Sequence, residues 1–268
     1  MKIHQILIND TNKLPDKFPE FHNICYEQIK KLYPNEEYHL YSGEELEGII
    51  KNNFNNDVYI SYKKLKPYAC KADLARLCLL YLYGGLYIDL NIYFVNTIPD
   101  LDKLEFFAFR DLQSSSINGW AVQNGIMYSL SKTKITKNTI DIIVNNCKNE
   151  YYGVSPNDVT ATKVLGMGIM KSYPDHNIAT TGQFEYFTIN SFNDQMKEYV
   201  KSFGYDDYIM GFIMDKKDKL ISIRKYARKG DISSLGFTGT NNYVKMWKDK
   251  EVYDSSIKFA QESKFNYQ

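Results

Sequence analysis

The chain is short of several things, and each shortage excludes a class of function. Its four cysteines, Cys25, Cys70, Cys78 and Cys147, form no Cys-x-x-Cys pair. His22 lies three residues before Cys25, but no second Cys/His pair completes a set of four ligands, so neither a zinc site nor a redox dithiol is indicated. Net charge is almost absent: 33 Lys plus Arg stand against 32 Asp plus Glu. Such a balance argues against holding nucleic acid by its phosphates, and no nucleic-acid partner is expected. No run approaches the roughly eighteen apolar residues of a membrane span. The best, Leu74 to Ile88, is broken by Arg76 and Gly84-Gly85. Met1 to Ile8 is too briefly apolar for a signal peptide, so a cytoplasmic protein is expected. Gly166-Met167-Gly168 has no Lys-Ser/Thr partner and makes no phosphate loop.

What the chain does have is apolar and aromatic bulk. Of its 268 residues 44% are hydrophobic, with 23 Tyr and 15 Phe, which suits one well-filled core and rules out a disordered chain. No internal repeat and no linker of biased composition divides it, so residues 1–268 are expected to form a single domain.

Strand and helix signals alternate from the start. Ile3 to Ile8 reads as a buried strand, Phe21 to Leu32 as a helix, and Tyr38 to Tyr41 as a second strand. Ser42 with Glu45 makes a capping box for a helix over 44–50. This alternation predicts an α/β fold with a largely parallel sheet. After Pro67 comes a helix apolar nearly all round, closed by Gly84-Gly85. Leu86 to Val95 then alternates with a period of two, placing Leu86, Ile88, Leu90, Ile92 and Phe94 on one face and Tyr87, Asp89, Asn91 and Tyr93 on the other. Further on, Glu105–Phe109, Gly119–Val122 and Phe184–Ile189 read as strands, with a turn at Asn124-Gly125. A helix is expected over 135–146 and another from the Ser155 cap to about Met170. Residues 229–247 read as a long ordered loop.

Two groups of residues can carry chemistry. Asp89 and Asn91 are oxygen donors on one strand face, about 7 Å apart if the strand is regular. A bend at the strand end would bring both to one side of a hard divalent cation; a solvated or turn-capping pair is the plainer alternative. Asp73 and Arg76 share a face of the apolar helix. They form either a buried ion pair or a carboxylate and guanidinium facing a polar ligand's hydroxyls.

Lys71-Ala72-Asp73-Leu74-Ala75-Arg76, followed by Tyr83-Gly84-Gly85-Leu86-Tyr87-Ile88-Asp89-Leu90-Asn91, resembles the signature of the DXD sugar transferases. That is glycosyltransferase family 32, which includes initiating mannosyltransferases and capsule and lipopolysaccharide transferases, and which is distantly similar to the catalytic domains of clostridial glucosylating toxins. Ile3-His4-Gln5-Ile6 is similar to the family's first strand, and the specific match covers residues 67–95. The resemblance implies a GT-A type nucleotide-binding sandwich with a central, mostly parallel sheet. It also implies a retaining enzyme that moves a hexose from a nucleotide-sugar donor, UDP-linked, to a glycan or lipid-linked acceptor. By position, Asp73, Arg76 and Tyr87 would bind the donor sugar, while Asp89 and Asn91 would be the catalytic pair holding Mn²⁺ or Mg²⁺. Capsule or lipopolysaccharide synthesis would bring the protein into peripheral contact with the inner face of a membrane.

The chain departs from that pattern in three places. Asn91 stands where the family has Asp, which weakens metal affinity and opens a second reading, a nucleotide-sugar-binding protein with little or no turnover. Leu7 stands where relatives often have Trp, and no His follows His176. The segment holding Asn241, Asn242 and Trp247, with Arg228 and Lys229 upstream, is therefore expected either to close over the diphosphate, with Asn242 a further metal ligand, or to be an ordinary polar loop.

Overall fold

The computed structural model describes residues 1–98, 100–111, 120–172, 178–179, 183–188, 208–214, 219–225 and 230–260. The chain opens with β1 (Lys2–Leu7), α1 (Glu20–Leu32), β2 (Glu37–Ser42) and α2 (Gly43–Asn53). The Ser42–Glu45 capping box forms as expected, each side chain bonding the other's backbone N–H. A further helix, α3 (Asn56–Lys64), follows, capped by the Asn55 side chain on the Val58 N–H; its modest amphipathicity hid it in the sequence.

Helix α4 (Tyr68–Tyr83) is the spine of the molecule, with Cys70 and every residue from Asp73 to Leu80 buried. It ends where Gly84 takes a φ of 63° and Gly85 one of 101°, conformations that favour glycine. A Cβ on Gly85 would lie 2.2 Å from the Lys2 carbonyl oxygen, so this turn lets β3 (Gly85–Ile88) run directly against β1.

The ten-residue alternation from Leu86 does not make one strand. β3 ends at Ile88, Asp89-Leu90-Asn91 forms a turn closed by Ile92 N–H on the Asp89 carbonyl, and β4 (Ile92–Phe94) begins anew. The chain continues through β5 (Phe106–Asp111), β6 (Val122–Ser129), α5 (Lys134–Lys148), a 3₁₀ turn at Pro156–Asp158 and α6 (Thr162–Ser172). Asn124-Gly125 lies within β6 rather than at a turn, because Asp89 N–H and the β3 ladder pair with that stretch. The helix expected from Ser155 is likewise split, with Ser155 and Asp158 closing their capping box around the 3₁₀ turn alone. Then come β7 (Ile178–Ala179), β8 (Gln183–Thr188), β9 (Tyr208–Met214) and β10 (Lys219–Lys225). The expected 229–247 loop contains a 3₁₀ turn at Ile232–Leu235 and α7 (Tyr243–Lys248); Arg228 and Lys229 lie outside the described residues.

The architecture is mixed α/β, with strand order β2-β1-β3-β6-β5-β8-β9-β10-β4 and β7 beside β5. β1 pairs in parallel with β2 and β3, and β5 with β7 and β8; the pairs β3–β6, β5–β6, β8–β9, β9–β10 and β10–β4 are antiparallel. The sheet is thus more mixed than the early strand–helix alternation implies. Chain continuity also bends it. In a flat sheet β3 and β4 would stand nearly 30 Å apart at about 4.8 Å per strand, yet the turn between Ile88 and Ile92 can span at most about 15 Å. The β9–β10–β4 end must therefore curl back towards β3, which carries β10 to the Asp89 turn.

Each sheet face has its own core. Tyr87, Phe106, Ala108 and Met127 pack against α2 to α6, whereas Leu86, Ile88, Phe107, Phe109 and Ile126 pack with Ile29 of α1 and with Ile92, Phe94 and Ile221. A C-terminal strap closes the first layer. Leu65 bridges Tyr253, and the buried Lys64 ammonium holds the carbonyls of Asp254 and Ile257 and the Glu150 carboxylate. Among the described residues no helix is long and apolar enough to cross a membrane.

Candidate functional site

At the end of β3 the alternation that buries Leu86 and Ile88 against α1 turns Tyr87 and Asp89 towards α4. Asp73 and Arg76 meet them there. The Arg76 guanidinium contacts Asp73 Oδ1 at 3.0 Å and Asp89 Oδ1 at 3.1 Å, donates to the Asn124 carbonyl at 2.7 Å, and lies 4.5 Å over the Tyr87 ring. Its Nε donates to the Ala72 carbonyl at 3.2 Å. Asp73 accepts from the Asn124 amide at 2.9 Å and from the Thr160 hydroxyl at 2.7 Å. The sequence left the Asp73–Arg76 pair open between structure and ligand; the ion pair forms, and both residues also line a cavity.

Asp89 is the branching point. Its Oδ1 receives the Tyr87 hydroxyl at 2.9 Å besides Arg76, and its Oδ2 contacts Arg224 Nη2 at 3.2 Å. Arg224 comes from β10, opposite Ile92 of β4. Several contacts hold the turn itself. Asp89 N–H donates to Gly125, the Gln5 amide donates to the Asp89 carbonyl at 3.3 Å, and the His22 ring bonds the Leu90 backbone. A Cβ on Gly125 would stand 2.6 Å from Asp89 Oδ2, so glycine there makes room for the carboxylate.

Burial decides the electrostatics. It pushes the Asp73 carboxyl up, against the pull of Arg76, Thr160 and Asn124. Burial opposes the Arg76 charge, but Tyr87, Asp89 and Asp73 outweigh it and the guanidinium is held more firmly protonated than usual. The Tyr87 hydroxyl, wholly buried, is pushed well above its ordinary value and stays a proton donor to Asp89.

These groups line one wall of a cavity of about 500 Å³. Asn91 also lines it and is 4% exposed, so the expected site residues Asp73, Arg76, Tyr87, Asp89 and Asn91 come together. Asn242 does not join them. Its side-chain oxygen accepts the Lys245 N–H at 2.8 Å and caps α7, and it is Asn241 that lines the cavity. Trp247 faces away, its indole N–H donating to the Tyr152 carbonyl. Residues that sequence reasoning missed are Asn124, Thr160, Asp111, Gln123 and Arg224. Only Arg224 had a usable signal, the alternation of Ile221 and Ile223 with Ser222 and Arg224.

The donor set does not fit a divalent cation. Both Asp89 oxygens are engaged by guanidinium groups, and a cation binding there would compete with two positive charges. Asn91 offers only a neutral amide, and Asn242 is committed to its helix. Asp111 lines the same cavity, yet among the described residues no three His, Cys, Asp or Glu side chains form a group able to hold a metal.

This chain belongs to the family of capsular polysaccharide synthesis proteins, whose family model matches residues 15–160, more than half of its length. It is similar to the uncharacterized glycosyltransferase L373 of Acanthamoeba polyphaga mimivirus, with 32% identity over 105 residues, 39% of this chain and 40% of that protein. It is also similar to inositol phosphoceramide mannosyltransferase 3 of Schizosaccharomyces pombe, with 30% identity over 83 residues, 31% of this chain and 22% of the relative. The chain thus matches less than half the length of either relative. A solved structure titled PaToxG glycosyltransferase aligns with a TM-score of 0.49 and 16% identity over 65% of this chain and 68% of its own, too remote a likeness to argue from.

Proposed function

We propose that the protein is a glycosyltransferase that moves a hexose from a nucleotide-sugar donor, UDP-linked, to a hydroxyl of a glycan or lipid-linked acceptor with retention of anomeric configuration. The observation that carries this reading is the meeting of Asp73, Arg76, Tyr87 and Asp89 on one cavity wall, three of them from α4 and β3 and all within the family match. Both relatives bear transferase names, which supports the same class.

Transfer breaks the bond between the anomeric carbon and a diphosphate oxygen and forms one to the acceptor oxygen. In the same-face displacement proposed here, the acceptor proton passes to the departing diphosphate. The protein's share is positioning and charge. Asp73 and Asp89 present carboxylate oxygens to sugar hydroxyls, and Arg76 fixes the spacing between them. Buried dipoles and charges held in place before the substrate arrives lose little to reorganisation during the reaction.

The neutral Asn91 favours a second reading, donor binding with little turnover. One experiment separates the two: a panel of UDP- and GDP-sugars is incubated with the protein, and release of nucleoside diphosphate is followed by chromatography. Wild type should consume one donor, and Asp89→Asn, matched in shape, should lose about a hundredfold of that rate or more. Binding without consumption by wild type selects the second reading. A folded Asp89→Asn protein with full activity moves the site elsewhere.

A further inference from the structure

Two arginines reach the Asp89 carboxylate, and they differ in what they have left to give. All three Arg76 nitrogens are engaged, by Ala72, Asp73, Asp89 and Asn124. Arg224 contacts Asp89 through Nη2, while its Nε is buried with no hydrogen-bond partner among the described residues. A guanidinium carries five N–H donors in a planar fork suited to two phosphate oxygens. Arg224 also lines the cavity, and its side chain retains 22% of its exposure against 7% for Arg76. It stands on β10 opposite Ile92, so the curled sheet places it at the Asp89 turn, where a metal bound by Asp89 and Asn91 would have to sit.

We propose that Arg224 is the cation that receives the donor's diphosphate, and that this protein binds its donor without a divalent metal. This rests on the nucleotide-sugar reading above and deepens it. The geometry gives Arg224 a definite place between Asp89, which orients it, and the cavity, into which its spare donors can turn. A diphosphate entering the cavity brings negative charge to a cation that, among the described residues, contacts a single carboxylate, itself shared with Arg76. The neutral Asn91 is consistent with this arrangement, since a second carboxylate beside Asp89 would draw Arg224 away from the phosphate.

The test is calorimetric titration of the wild-type protein with UDP, GDP, CDP and dTDP, first in EDTA and then in Mn²⁺, followed by the same titrations of Arg224→Gln and Arg224→Lys. At least one nucleoside diphosphate should bind in EDTA, with an affinity that Mn²⁺ leaves unchanged within about twofold. Arg224→Gln should weaken that binding about tenfold or more, with Arg224→Lys between the two, because Lys keeps the charge but loses the fork. Thermal melting of each variant establishes that it is folded. Binding by wild type only when Mn²⁺ is present overturns the inference and leaves the transferase reading standing, as does a folded Arg224→Gln protein that binds as wild type does. If no nucleoside diphosphate binds under either condition, both readings fall. The wild-type comparison depends on no variant folding.

Discussion

The cavity has two walls built on different terms. The inner wall comes from α4, β3 and β6, and its polar groups are locked to one another. Asp73, Arg76 and Tyr87 are each less than 8% exposed, and carboxylate, guanidinium and hydroxyl all have partners within 3.2 Å. The outer wall comes from the 3₁₀ turns and α7, with Ile232, Thr240, Asn241, Tyr243 and Val244 only half-buried. Bonds both local and distant hold it: Asp231 accepts from Ser233 N–H and the Thr240 hydroxyl, while Asp10 N–H donates to Gly239 and Tyr68 N–H to the Asn241 side chain. On the proposed transferase reading, the groups assigned to the donor sugar stand on the densely bonded wall, where burial and mutual pairing fix their geometry.

Arg76→Ala should break the inner wall most severely. It leaves Asp73 and Asp89 buried without their shared cation, a loss of roughly 3–5 kcal/mol. Urea denaturation should show it as a large fall in midpoint. A variant as stable as wild type would mean that the pair contributes nothing to the wall.

Acid should loosen the same wall from behind. Burial holds His4 and His22 near a pKa of about 4 instead of 6.5; His4 bonds the Gly84 carbonyl and His22 the Leu90 backbone, the two ends of the β3 segment. Both stay neutral when folded, so the unfolded chain takes up protons first as pH falls below 6.5. Their stabilisation is complete above that value, declines between 6.5 and 4, and changes no further below. By pH 5 each should cost about 2 kcal/mol relative to pH 7. Denaturation midpoints for wild type and His22→Gln across pH 7 to 5 measure it; a variant with the same slope as wild type would remove His22 from the effect.

The smallest effect belongs to the outer wall. Asn242→Ala removes the α7 cap and should lower stability by about 1 kcal/mol, with donor turnover little changed. A loss of turnover in a protein of near-normal melting temperature would return Asn242 to the site as a ligand.

The contrast between the walls also explains what could be read from the sequence. The Ser42–Glu45 box, the buried helix after Pro67, the Gly84-Gly85 stop and the Asp73–Arg76 spacing are local patterns, and the structure holds each where its spacing placed it. The break of the strand at Asp89 was not legible, because alternation continues through it unchanged. What splits β3 from β4 is the partner each finds, β6 for one and β10 for the other. Asn124 and Thr160 reach Asp73 from 51 and 87 residues away, and Arg224 reaches Asp89 from 135. No spacing rule connects such distances. Choosing Asn242 over Asn241 failed for a smaller reason: adjacent residues at a helix start divide the labour, one capping the helix it begins and the other free to face elsewhere.

That other residue has a further consequence. Pro67 gives α4 no side-chain cap, and the first amide of the helix, Tyr68 N–H, is taken at 2.9 Å by the Asn241 side chain, which also donates to the Lys66 carbonyl. The helix that carries Asp73 and Arg76 is therefore finished by a residue made 173 positions later. On the ribosome the inner wall emerges early and waits, its leading turn open, while the strands that bring Arg224 and the segment that brings Asn241 are still being added. A chain that has not yet reached Arg224 and Asn241 therefore holds an inner wall without the cavity that these residues help to enclose.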